Sequence, residues 1–424
     1  MNHIGHKIKY YRLKKGLTQY DLSNGILSYS YLSKIENGNA KPGPEIVGLL
    51  CKKLNISPQV LTELDTSNET CKKWFKSLLL GDRKKSTELY REINSNTSIF
   101  SNESLLNLIE LNELRYFLLT KQVNKTARQL RVLERKSSKF NKLEQYYFYK
   151  FSGEYFYSKN AFRKAFERFQ VAESLISNDM FFKAEEESDL FYLIGITASK
   201  IRQVHIALNY ASKALHYHQS QYNLFKCAQC HILLGISYRR FNEHKKSIQS
   251  YEMAIKIGES LGKSNLVSLS YQNIGALYTS IGESSKAIKY YKKCFELQFG
   301  NDTTKLLSPI VCLIREYYQI GDYSNSSYWL QQGLTIIESL ETEETIDTFD
   351  IKVYEQLLTQ QNSPNLEKLI LTIVIPFLEK NQLEYQKHIY YQILAEFYYR
   401  MRRYKSSADY YDLANQILKS IYNG

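Results

Sequence analysis

The feature that most restricts what this chain can fold into is a block that recurs about every 40 residues. Its clearest copy is Leu266–Leu297, LVSLSYQNIGALYTSIGESSKAIKYYKKCFEL. The pattern is that of two amphipathic helices joined near Gly282. Gly275 and Tyr278 fall on the first helix, and Ala287, Tyr291 and Cys294 on the second. A small residue midway along one helix lets the other lie close, and aromatic rings fill the groove between them. One hairpin of this kind cannot bury its own apolar face, so it requires stacked copies.

Those copies are present. The template recurs as Gly153/Phe156/Ala165/Phe169/Ala172, Gly195/Ala198/Ala207/Ala211/Ala214, Gly235/Tyr238/Ser247/Tyr251/Ala254 and Ala395/Tyr398/Ser407/Tyr411/Ala414. Weaker copies lie at Trp74/Ser77/Gly81/Ser86/Tyr90 and Ile314/Tyr317/Gly321/Ser326/Leu330. Arg115/Leu118/Ala127 and a region near Tyr354 fill the gaps. The pattern resembles the tetratricopeptide repeat, whose usual step is ~34 residues. The longer step here implies longer helices, not another fold. Only 6 Pro and 18 Gly suit a helical chain, and 36 Tyr with 20 Phe supply bulky filling.

Residues 1–65 do not follow the repeat. Ile4, Ile8, Tyr11 and Leu13 lie on a short amphipathic helix that Gly16 ends. Thr18 can cap a second helix and Gly38 stops a third, about Ser28–Asn37. Pro42 and Pro44 mark a connector, and Glu45–Leu54 and Pro58–Leu64 are two more expected helices. Arg12, Gly16-Leu17-Thr18-Gln19, Leu22, Leu32-Ser33-Lys34-Ile35-Glu36-Asn37-Gly38 and Pro42 resemble the helix-turn-helix of the Cro/C1-type (XRE) repressor family. Ser23 departs from it, standing where that family usually has Ala.

With Leu32 and Ile35 facing the core, Ser28, Tyr29, Ser30 and Lys34 point outward from the third helix, where major-groove base edges would be read. Gln19 resembles the family's phosphate-contacting glutamine, and Arg12, Asn37 and Lys41 are phosphate candidates. These 65 residues hold nine Lys or Arg against five Asp or Glu, the excess that backbone neutralisation needs. The whole chain carries +13, which permits nucleic-acid contact without establishing it. Glu36 and Glu45 are expected to be structural, capping or pairing with a nearby Lys.

The expected fold is therefore all-α: an N-terminal helix-turn-helix DNA-binding domain at 1–65, a polar linker at 66–73, and a right-handed superhelical solenoid of about nine tetratricopeptide-like hairpins over 74–424. Glu341, Glu343, Glu344, Asp347 and Asp350 read as a solvated acidic surface. First helices of stacked hairpins line a concave groove. The template puts Asn112, Lys150, Glu154, Gln229, Arg239, Gln272, Asn273, Arg315, Gln392 and Glu396 there, with Tyr157, Tyr318 and Tyr399. Amides that both donate and accept match an extended peptide backbone, and cations match its carboxylates.

This order of domains resembles the RNPP group of Gram-positive quorum sensors. The resemblance implies a cytoplasmic transcription regulator that binds a short signalling peptide and thereby changes its oligomeric state and DNA binding. The expected partners are double-stranded DNA, the peptide and a second copy, with a tetramer when peptide is bound. The resemblance also implies an alternative, a peptide-controlled scaffold that binds or dephosphorylates a sporulation-phosphorelay response regulator. An independent enzyme is disfavoured, because no Gly-rich phosphate loop, HExxH or GxSxG occurs. His216 and His218 sit two apart on a helix and face different ways. Cys227 and Cys230 form a CxxC with no second pair, so packing is expected, with no metal and no cofactor. The most apolar run, Leu369–Leu378, is interrupted by Pro376 and falls short of the ~20 residues that span a bilayer, so no membrane contact is expected.

Overall fold

Helices form here because small and apolar residues recur at helical spacing, and they stop where one residue can turn left-handed. The computed structural model describes residues 3–58, 66–95, 103–178, 180–298, 303–339, 344–359 and 364–423. All regular structure in them is helical. Contacts divide the chain into two units, Met1–Tyr155 with Glu167–Glu187, and Phe156–Phe166 with Ser188–Gly424.

The N-terminal domain consists of α1 (His3–Lys14), α2 (Gln19–Ser23), α3 (Tyr29–Glu36) and α4 (Pro44–Leu54). Ile8, Leu22, Leu32, Ile35, Val47, Leu50, Cys51 and Leu54 form its core, with Ile4 and Tyr11 packed against it. Gly16 and Gly38 turn left-handed at φ 67° and 76°. Thr18 caps α2 in a reciprocal box with Asp21. Ser23 is buried and donates its hydroxyl to the Tyr20 carbonyl at 3.2 Å, which satisfies it in a position suited to Ala. The helix expected over Pro58–Leu64 lies outside the described residues from 59 onward.

The repeats begin earlier than the polar composition suggests. Helix α5 (Thr66–Leu79) runs through the stretch expected as a linker. Cys71 is buried there with Trp74 and Leu78, one apolar stripe at spacings of three and four. The hairpin partner is α6 (Arg83–Ser95), followed by α7 (Glu103–Leu119), α8 (Val123–Lys136), α9 (Lys142–Ser158) and α10 (Phe162–Ser174). Next come α11 (Lys183–Lys200), α12 (Val204–Ser220), α13 (Leu224–Arg240), α14 (His244–Ser260), α15 (Ser264–Ser280) and α16 (Ser284–Gln298). Then follow α17 (Leu307–Gln319), α18 (Tyr323–Ser339) and α19 (Ile346–Thr359). Helix α20 (Pro364–Leu369) continues through a π-turn, Ile370–Val374, into α21 (Ile375–Lys380). Pro376 lacks an N–H and disturbs the ladder just there. Helices α22 (Glu384–Arg400) and α23 (Tyr404–Asn423) complete nine hairpins among the described residues.

The long step has a simple origin. Helices α12 to α15 are each 17 residues long with three residues between them, so a hairpin recurs every 40. In each of those turns the middle residue is left-handed (Arg202, Tyr222, Asn242, Gly262, Gly282), and the next N–H bonds back to a carbonyl five residues earlier, as Gln203 to Ala198 at 2.9 Å.

Packing within a hairpin follows a glycine–ring rule. A Cβ added at Gly153, Gly235 or Gly275 would lie 2.5, 2.4 or 2.5 Å from the ring of Phe169, Tyr251 or Tyr291. Where Ala395 replaces the glycine, the equivalent ring cannot enter, and Tyr411 is 39% exposed. The expectation that Tyr411 packs like its counterparts is corrected on that ground. Ser247 and Ser326 donate across their hairpins to the carbonyls of Gly235 and Ile314 at 2.8 and 3.0 Å.

The acidic stretch is also corrected. Glu341 and Glu343 lie outside the described residues and Glu344 is exposed, but Asp350 is buried. Asp350 accepts from Arg315 at 3.3 Å and from the Tyr390 hydroxyl at 3.0 Å. Burial, with the Asp350 charge beside it, pushes the Asp347 carboxyl up to about 6. The folded protein therefore holds a proton there that the unfolded chain releases first, so Asp347 lowers stability as pH rises from about 4 to about 6. Asp347→Asn should stabilise the second unit by about 1 kcal/mol at pH 7, after discounting for solvent. Urea unfolding at pH 7 and pH 4 checks this; the gain should vanish at the lower pH.

Candidate functional site

In the N-terminal domain, Leu32 and Ile35 are fully buried, which turns the opposite side of α3 outward. Tyr29, Ser30, Lys34, Asn37 and Lys41 are exposed, and Lys34 forms no ion pair with a described residue. Ser28 is exposed too, but its hydroxyl oxygen caps α3 by accepting from the Tyr31 N–H at 3.3 Å. Tyr20, at the start of α2, is 67% exposed and was not anticipated as part of this surface.

Two expected phosphate contacts have other work. Arg12 is 6% exposed, and its Nε and Nη2 donate to the two Glu36 oxygens at 2.6 and 2.9 Å, while Nη1 holds the Leu17 carbonyl at 2.8 Å. That corrects Arg12 from a phosphate ligand to an internal strut, and gives Glu36 an arginine partner in place of the expected lysine. Gln19 is half-buried and donates to Glu36 at 2.7 Å. Its amide is thereby fixed at the start of α2, beside the backbone N–H groups that favour an anion.

The repeats divide the expected groove residues. In the first unit, Lys150 is fully buried against Glu186 at 2.5 Å, with Tyr146 donating to the same carboxylate at 3.2 Å. Lys150 is thereby corrected from a groove cation to a core one. Asn112 is buried and donates to the Leu108 carbonyl of its own helix, and Glu154 faces Arg115 at 3.7 Å. In the second unit, Arg315 holds Asp350, Gln272 donates to Ser308 at 2.6 Å, and Asn273 donates to the Leu269 carbonyl. Gln229 and Arg239 each keep a buried polar atom, Oε1 and Nε, with no hydrogen-bond partner among the described residues. Gln392 is half-buried, Tyr157 is held edge-on to Phe162, and Tyr399 is 62% exposed.

A cavity of about 450 Å³ opens in the second unit between α17, α18, α19 and α22. Leu357, Leu358, Ile393, Phe397 and Met401 supply apolar walls, and Tyr318, Gln319, Tyr354, Glu396 and Arg400 supply polar rims. Arg400 donates to the Tyr318 hydroxyl at 2.6 Å. Apolar walls with a few converging polar groups suit a side chain of an extended ligand. Tyr318 and Glu396 were anticipated; Arg400, Gln319 and the leucine pair were missed. A usable signal existed for the ion pairs. Residues one repeat apart on successive first helices meet, as in Arg115–Glu154, Lys150–Glu186, Asp189–Lys226 and Arg315–Asp350.

Cys227 and Cys230 are buried, and burial pushes the Cys230 thiol up to about 12. Among the described residues no group of His, Cys, Asp and Glu is placed to hold a metal ion. No helix among them is long and apolar enough to cross a membrane.

A helix-turn-helix family model matches residues 8–61, and a tetratricopeptide repeat model matches residues 227–298. The transcriptional activator NprA of Geobacillus stearothermophilus is 29% identical over 408 residues, covering 95% of this chain and 100% of NprA. Response regulator aspartate phosphatase A of Bacillus subtilis is 22% identical, covering 69% of this chain and 75% of its own. The solved structure of NprR in complex with its cognate peptide NprX superposes with a TM-score of 0.63 at 17% identity, covering 84% of this chain and 98% of that one. Fold and surfaces together define a helix-turn-helix regulator built on tetratricopeptide repeats. The chain is similar to NprA along nearly its whole length, and its fold is that of NprR.

Proposed function

We propose that this protein is a cytoplasmic, peptide-gated transcription regulator. Two copies place α3 in successive major grooves about one turn of DNA, ~34 Å, apart. A short peptide held by the inner helices of the repeats biases an existing equilibrium between oligomeric states, and with it DNA binding. The observation that carries this reading is the outward face of α3. Tyr29, Ser30 and Lys34 are exposed on a helix whose other side closes a complete small core. Lys34 is suited to guanine O6 and N7, while Asn37 and Lys41 suit phosphates. The cavity beside Glu396 and Arg400, and the similarity to a protein solved with its cognate peptide, support the ligand.

Lys34→Ala should weaken binding to the selected operator by about ten- to a hundredfold, whereas Lys41→Gln should weaken all duplexes alike and flatten the salt slope by about one. Fluorescence anisotropy across a salt series reads both. A full chain that retains no duplex from a genomic selection, with or without a peptide pool, would refute the reading.

A second activity is supported by the likeness to response regulator aspartate phosphatase A. In it the repeats bind a phosphorylated response regulator or hasten its dephosphorylation. Decay of the regulator's aspartyl phosphate, followed with and without this protein, decides; an unchanged half-life with no complex on a sizing column removes it.

A further inference from the structure

Lys200, Arg202, Arg239 and Arg240 form a cation cluster in the second unit that no described carboxylate answers. Lys200 ends α11, Arg202 is the left-handed residue of the following turn at φ 66°, and Arg239 and Arg240 end α13. Arg240 joins the two helix ends by donating through Nη1 to the Ser199 hydroxyl at 2.9 Å and to the Ser199 carbonyl. The Arg202 guanidinium lies 3.8 Å from the centre of the Tyr385 ring, on α22. Both Arg239 Nε and Arg240 Nε are buried with no hydrogen-bond partner among the described residues.

Elsewhere in the repeats, inward cations are paired: Arg115 with Glu154, Lys150 with Glu186, Lys226 with Asp189, Arg315 with Asp350. These four are the departure. Burial and the adjacent arginines push Arg240 down to about 10 and lower Lys200 as well, so the cluster is held against its own repulsion. Like charges gathered together, the three arginines half-buried and Lys200 exposed, with two buried guanidinium N–H groups unmet by the described residues, call for an anion.

We propose that this cluster anchors a carboxylate of the peptide that the repeats bind, which makes the protein selective for peptides with an anionic end or an acidic side chain. The inference rests on the peptide-receptor reading above. Guanidinium forks match carboxylate geometry, and Tyr385 fixes the Arg202 plane. Helix α22 links the cluster to the cavity, since it contributes Tyr385 to one and Ile393 to the other. Along a helix those two residues are separated by about 12 Å, a distance that three or four extended residues span. The ligand thus carries an apolar side chain three or four residues from its anchored carboxylate.

The test presents the full-length protein with synthetic heptapeptide pools and reads retained mass by native mass spectrometry. One pair of pools contains Asp and Glu and the other lacks them, and each is made with a free and an amidated C-terminus. Wild type should retain free-acid or Asp/Glu-containing peptides about tenfold over the neutral amidated pool, and the two arms tell a C-terminal carboxylate from a side-chain one. In R202Q/R239Q, retention should fall to the neutral level. The ligand-free variant should also melt above wild type, because repulsion is relieved. Equal retention of neutral and acidic pools by wild type would overturn the proposal, as would undiminished acidic retention or a lowered melting temperature in the variant. If wild type retains no pool at all, the receptor reading falls, and this inference with it.

Discussion

Arg12→Ala should unfold the N-terminal domain at temperatures where the repeats remain folded. Glu36 is fully buried, and its oxygens are held by both arms of Arg12 and by Gln19. Removing Arg12 strands a buried carboxylate and frees the Leu17 carbonyl, at a cost of about 3–5 kcal/mol. A domain of this size has about that much stability in total. Lysine should not rescue it, because a point charge cannot span both oxygens. Calorimetry of the full chain should show an early transition, and operator binding should be lost with it. The competing account, in which Arg12 holds a phosphate, forecasts an unchanged melt with weaker binding at low salt; that result would sink the strut.

The second large effect lies in the first unit. Lys150→Ala leaves the Glu186 carboxylate at 3% exposure with Tyr146 as its remaining side-chain hydrogen-bond donor among the described residues, again a loss of about 3–5 kcal/mol. Lys150→Met with Glu186→Gln should recover most of it, since removing both charges costs little when volume is kept. The two tryptophans separate the readings, because Trp74 belongs to the first unit and Trp329 to the second. In a Trp329→Phe background, urea unfolding followed by Trp74 emission should shift for the single variant and nearly return for the double. A shift no larger than that of a surface substitution would show that the pair is not closed to water.

These two arginine and lysine positions also show where sequence reasoning stops. Leu32, Ile35, Thr18 and the glycine–ring pairs were legible because each is fixed by neighbours within one helix or one hairpin. Whether a cation faces solvent is decided by a residue from another element. For Arg12 that residue is Glu36, 24 positions on; for Lys150 it is Glu186, 36 positions on. Asp350 went the same way, drawn inward by Arg315 of the preceding hairpin and Tyr390 of the following one. The polar run at 66–73 hid a helix because a single cysteine, Cys71, extends the apolar stripe. Arg202 and Arg240 were overlooked for the opposite reason: they sit at helix ends, where the template has no position to score.

The uniform turns carry a consequence for how such a chain changes length. The same three-residue turn follows first and second helices alike, at Arg202 and at Tyr222. A gene could therefore gain or lose one 17-residue helix and its turn without disturbing any junction, yet every later helix would exchange inside for outside. Only indels of a whole pair preserve the facing of what lies downstream, so homologues should differ in multiples of the full step, and an odd helix should survive only at the distal terminus.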